Sequence, residues 1–142
     1  MRIAKLLEAK GNEVATISPD ASVGDAVTAL AHHGIGALVV SADGRHIEGI
    51  LSERDIVRGL ERGAALLDEP VSGIMSATVQ TCAPEDDTDG LMSVMTDKRI
   101  RHVPVERDGE LVGIVSIGDI VKTKIGELEQ DRKELVDYIN AR

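Results

Sequence analysis

The sequence predicts an α+β fold: two tandem β-α-β-β-α repeats packed sheet to sheet with pseudo-twofold symmetry. Two observations carry this reading. The chain matches itself, and within each copy the apolar spacing alternates between helical and extended periods. Val14-Ala15-Thr16-Ile17-Ser18-Pro19 lies over Val79-Gln80-Thr81-Cys82-Ala83-Pro84, a shift of 65 residues. Ile35 to Val40 lies over Ile100 to Val105 at the same shift, and Asp43-Gly44 over Asp108-Gly109. After a one-residue deletion, Gly49 to Val57 matches Gly113 to Val121.

Each element of the first copy has a local cause. An extended piece at Val14 to Ile17 ends at Ser18-Pro19-Asp20, because a proline biases the residue before it away from helix. Ser22 can then cap a helix, with Asp25 at the capping-box position and Val23, Ala26, Val27 and Leu30 at helical spacing. His32-His33-Gly34 closes it. Two apolar runs, Ala37 to Val40 and Ile47 to Leu51, flank the turn signal Ala42-Asp43-Gly44. A second helix begins after Ser52 and places Ile56, Val57 and Leu60 on one face. In the second copy the same reading gives strands at Val79–Thr81, His102–Val105 and Leu111–Val115. Its helices fall at Thr88–Lys98 and from Ile117 onward.

The expected organisation is an N-terminal segment (1–12), a first repeat (13–70), a second repeat (71–128) and a helical tail (129–142). In the tail, Ile125, Leu128, Leu135 and Ile139 extend the last helix. One such sheet cannot bury both faces alone, whereas two packed together can.

Composition narrows the function. Tyr138 is the single aromatic residue, so base stacking on aromatic side chains is excluded and the core is aliphatic. A net charge of −9 disfavours nucleic acid and anionic membranes as partners, so any phosphate must be met by a few aimed groups. Cys82, the lone cysteine, can form neither an internal disulfide nor a thiolate metal site. No apolar run reaches the length of a signal peptide or membrane span, and a cytoplasmic location is expected.

The second strand pair of each copy ends on one pattern, apolar-apolar-Gly-apolar-apolar-Ser-x-x-Asp. It reads Ile47-Glu48-Gly49-Ile50-Leu51-Ser52-Glu53-Arg54-Asp55 and Leu111-Val112-Gly113-Ile114-Val115-Ser116-Ile117-Gly118-Asp119. Together with Ile100 to Val105 and Ile74-Met75-Ser76, this resembles the cystathionine-β-synthase (CBS) domain over roughly residues 13 to 125. The arrangement is that of a stand-alone CBS pair, or Bateman module.

The resemblance implies a regulatory module, not an enzyme, that binds an adenosine-containing ligand between the copies. AMP leads, with ADP, ATP, NAD or S-adenosylmethionine as further options, and a homodimer and an effector protein reached in trans are implied. It also implies that Asp55 and Asp119 hold ribose hydroxyls and that Ser52 and Ser116 meet phosphate. Their chemistry suits this. A carboxylate accepts two hydrogen bonds from a cis-diol, and a serine at a helix start adds a hydroxyl to free N–H groups. Arg54, Arg101 and His102 are the candidate sources of phosphate charge. Backbone near Thr16 and Thr81 and walls at Val14, Ile35, Val79 and Pro104 are the candidate adenine pocket.

A second reading is that Ser-x-x-Asp is only a capping box and that the chain is a ligand-independent assembly module. Other features are expected to be structural. Leu91, Met92 and Met95 form a buried helix face, Cys82 is inert, and Glu85-Asp86-Asp87 make a negative helix start. His32-His33 lack the partners of a metal site, and no catalytic constellation is present.

Overall fold

In the computed structural model, which describes residues 1–141, the first repeat builds a three-stranded sheet. Its strands are β1 (Thr16–Ile17), β2 (Ala37–Val40) and β3 (Gly49–Ser52), with β1 parallel and β3 antiparallel to β2. Helix α2 (Val23–His33) joins β1 to β2, and α3 (Glu53–Leu60) follows β3. The second repeat has α4 (Thr88–Lys98), an antiparallel pair β4 (His102–Arg107) and β5 (Glu110–Ser116), and then α5 (Ile117–Asn140). Both ends of α4 lie 65 residues after those of α2, so the repeat seen in the sequence is kept at the level of helix boundaries.

Local chemistry sets those boundaries. Ser22 accepts from the Asp25 amide, although Asp25 does not return the bond. Asp87 caps α4 through the Asp89 amide. The β4–β5 turn places Asp108 and Gly109 at φ 52° and 81°, the left-handed pair of a tight hairpin.

The strand expected at Val79–Thr81 is reduced to a single bridge between Cys82 and Val105. Pro104 explains the loss. In the first repeat Val39 donates to the carbonyl of Ala15 at 3.3 Å. The counterpart of Val39 is Pro104, which has no N–H to give.

Each repeat borrows a layer from outside itself. Ile3, Leu6 and Leu7 of α1 (Ile3–Lys10) are buried with Leu91, Met95, Val103, Val105, Val115 and Ile120, in the core of the second repeat. The stretch between α3 and α4 sends Leu66 and Val71 into the core of the first, beside Leu38, Val40 and Leu51. Backbone bonds fix both borrowed segments. Ile3 and Ala4 donate to Asp86 and Pro84, each at 2.9 Å, while Ser76 and Ile50 exchange bonds of 2.9 and 3.0 Å.

The motif glycines permit these approaches. A Cβ on Gly49 would lie 2.9 Å from the Ser76 carbonyl, and one on Gly113 would lie 2.8 Å from the Leu7 side chain. The last helix extends through the tail as its spacing implies. Val57 and Leu60 of α3 are exposed, and so are Ile125, Leu128, Leu135 and Ile139 of α5. Among the described residues no helix is long and apolar enough to cross a membrane.

Candidate functional site

A cleft of about 580 Å³ opens between the repeats, within the ~300–1,000 Å³ range usual for small-molecule sites. One wall comes from the first repeat and is mainly apolar, with Val14, Ala15, Ile35 and Ala37 beside His33. The other wall comes from the second: His102, Ile114, Ser116 and Asp119. Lys10 and Glu13, from the end of α1 and the chain after it, stand at its edge.

Asp119 is held from three sides. Its Oδ2 accepts from the Ser116 amide at 2.8 Å, and its own amide donates to Ser116 Oγ at 3.1 Å, a complete capping box at the start of α5. The same Oδ2 receives Lys10 Nζ at 2.5 Å, and that ammonium also donates to the Ile114 carbonyl at 2.6 Å. Burial works to raise the Asp119 pKa, but the Lys10 ammonium and the Ser116 donors outweigh it and hold the carboxyl below its usual value. The Asp119 carboxylate is thus charged, oriented and half-buried in the cleft.

His102 faces the same space. Burial lowers its pKa, with Lys10 and Arg101 in the same direction and Glu53 and Asp119 opposing. The imidazole is therefore neutral at pH 7 and offers hydrogen bonding instead of a fixed charge. Gly36 keeps the space beside it open: a Cβ there would lie 3.3 Å from the His102 ring and 3.4 Å from a Glu53 carboxylate oxygen.

The structure therefore brings together Val14, Ile35, His102, Ser116 and Asp119 of the candidates named from the sequence. The others stand outside this cleft. Asp55 Oδ2 accepts from the Ser52 amide at 2.9 Å and from the Ser52 hydroxyl at 3.0 Å, closing the capping box of α3. Arg54 and Arg101 are exposed, Thr16 is exposed on β1, Val79 and Thr81 are half-buried, and Pro104 is buried in β4.

At positions equivalent to the open wall, the second repeat carries Gln80, Arg101 and His102 where the first has Ala15, Gly36 and Ala37. Gln80 is engaged there by Lys98 at 2.7 Å. The two sides of the pseudo-twofold are chemically unequal.

A model of the CBS domain matches residues 11–62 and again residues 71–126. The chain belongs to the CBS-domain family. A mitochondrial CBS domain-containing protein of Arabidopsis thaliana is 38% identical over 125 residues, 84% of this chain. This CBS pair spans 61% of that relative's length. A crystal structure of a CBS-domain containing protein from Agrobacterium tumefaciens superposes with a TM-score of 0.84 at 47% identity, covering 87% of this chain and 99% of that one. Two further neighbours hold ligands. A CBS domain protein from Pyrobaculum aerophilum was solved with AMP (TM-score 0.76, 30% identity, 84% and 89% covered). A second CBS pair was solved with 5-methylthioadenosine and S-adenosylmethionine (TM-score 0.78, 25% identity, 89% and 98% covered).

Lys10 was missed by sequence reasoning. At the repeat shift its counterpart is Met75, so self-comparison carries no signal for it. A cation at the end of an amphipathic first helix was the available hint.

Proposed function

We propose that this CBS pair is a regulatory sensor that binds an adenosine-bearing ligand, with AMP favoured, in the cleft containing Asp119. The observation that carries the reading is the oriented Asp119 carboxylate facing an apolar wall. Asp119 takes the ribose hydroxyls, and Val14, Ile35 and Ala37 cover the adenine. Ser116 and the Gly118 amide at the start of α5 meet phosphate, because the Ile117 and Asp119 amides are taken by the Arg101 carbonyl and Ser116 Oγ, and Gly118 stands where α3 carries Arg54. His102 and the Lys10 ammonium complete an anion-favouring end.

Ligands bound by related CBS pairs share the adenosine group, which supports recognition of that part. Asp55 and Ser52 belong to a second, weaker position, because they lie outside the cleft that Asp119 and Ser116 line. The assembled form is a homodimer whose shape or charge is read by a separate effector protein. No catalytic residue is assigned.

The complete capping boxes at both Ser-x-x-Asp sites favour the second reading, in which these residues serve only the helices and the chain is an assembly module. Thermal or urea unfolding with AMP, ATP, NAD and S-adenosylmethionine separates the two. A true ligand at a hundredfold excess over its Kd stabilises the fold by about 2.7 kcal/mol. Unchanged midpoints with all four would overturn the sensor reading.

A further inference from the structure

Helix α5 runs beyond the residues that tie it to the fold. Lys124 meets Asp89 at 3.3 Å and Glu127 meets the Met1 amino group at 3.5 Å. From Leu128 to Asn140 every residue is exposed. Thirteen residues at ~1.5 Å each make an arm of about 20 Å, and an isolated helix of that length is marginal in water.

The arm carries a regular seam. Val121, Ile125, Leu128, Leu135 and Ile139 follow alternating steps of four and three, with Arg132 filling the one polar slot. These five apolar side chains are 47%, 51%, 57%, 60% and 58% exposed. An apolar stripe with an average step of 3.5 residues is what a left-handed coiled coil buries. With Ile125, Arg132 and Ile139 at the a positions, and Val121, Leu128 and Leu135 at d, the flanking charges fall at defined places. Lys124 and Asp131 occupy g, and Glu129 occupies e.

Charge decides which partner fits. In a parallel, in-register pair, Lys124 approaches the partner's Glu129, and the two Arg132 side chains, which face each other across the seam, are each offset by the partner's Asp131. In the antiparallel pair that best stacks the seam, Asp131 faces the partner's Asp131 and Glu129 faces the partner's Glu129, both repulsive. The polar Arg132 in a core slot further favours one register over its slipped alternatives.

We propose that residues 121–139 of two copies of this chain form a parallel, in-register coiled coil. It joins the C-terminal arms independently of any ligand in the cleft.

The test uses the full chain with Leu135→Cys in a Cys82→Ser background, oxidised mildly without nucleotide. A disulfide between like positions forms only if the arms run parallel and in register. The expected result is a covalent dimer as the main product, reduced at least tenfold by adding Leu128→Glu. Because both seam residues are exposed, an unchanged melting midpoint shows that the fold survives both changes. Cross-linking no greater than that of a Glu134→Cys control, or cross-linking confined to mixtures of Ile125→Cys with Leu135→Cys chains, would overturn the proposal. Neither result depends on nucleotide binding, so failure here is distinct from failure of the sensor reading.

Discussion

Lys10 Nζ lies 2.5 Å from Asp119 Oδ2, joining the first helix to the last at the edge of the cleft between the repeats. The pair ties the borrowed N-terminal layer to the carboxylate proposed to hold ribose. It also makes stability depend on pH in a defined direction. The folded pKa of Asp119 is lowered, so its contribution is fully present above the unfolded value, about 3.9, and is lost as pH falls through the folded value. Lys10→Met is expected to destabilise the fold by about 1 kcal/mol at pH 7, the scale of a partly exposed ion pair. Urea unfolding followed from pH 7 to 3 should show the difference between the two proteins closing below about pH 4. A difference that stays constant with pH would contradict the assignment.

Burial lowers the pKa of His102, and a bound phosphate raises it again, so AMP binding should draw a proton onto the ring. The ratio of wild-type to His102→Gln affinity for AMP is expected to grow about threefold to tenfold as pH falls from about 8 to 6. Adenosine, lacking the phosphate, should show no such growth. Calorimetric titration at several pH values checks both, and matching profiles for the two ligands would remove His102 from the phosphate end.

Arg99 ends α4 at φ 54°, in the left-handed region where α2 uses Gly34 at φ 63°. A side chain is strained there and glycine is not. Arg99→Gly should therefore stabilise the protein by about 0.5–1 kcal/mol, read as a higher urea midpoint with an unchanged slope. A lower midpoint would mean that the arginine side chain makes contacts worth more than the strain.

Burial pushes the Cys82 thiol up to about 12, with Asp86 adding to the shift. The native protein should then react with a thiol reagent such as dithionitrobenzoate at a rate set by its opening, and fully only in denaturant. Rapid native labelling at pH 8 would show that the Cys82 bridge to Val105 opens easily.

Much of the fold was legible because its causes are local. Thr88–Lys98 emerges as a helix with those ends, and the two Ser-x-x-Asp boxes close as their spacing implies. The borrowed layers were not legible. Leu6 and Val71 sit at equivalent points before each repeat, yet nothing in a short apolar segment says which core it will enter. The missing strand at Val79–Thr81 had a visible cause in Pro104, whose effect depends on which residue it faces.

At the site, Ser116 and Asp119 followed from the motif, whereas Lys10 reaches them across 109 residues of sequence. The inequality of the two clefts was visible in part, in Arg101-His102 replacing Gly36-Ala37. Its consequence is tertiary: His102 turns toward the cleft that Asp119 lines, while Asp55 lies outside it.

Titrating AMP into the wild-type chain and into Asp119→Asn and Asp55→Asn variants by calorimetry tests the central claim most directly. The account predicts one dominant site per chain in the wild type. Losing a charge-assisted bond at Asp119 should weaken it about tenfold to a hundredfold, while Asp55→Asn stays within about threefold. Undiminished binding by Asp119→Asn, or equal loss from both variants, would contradict it.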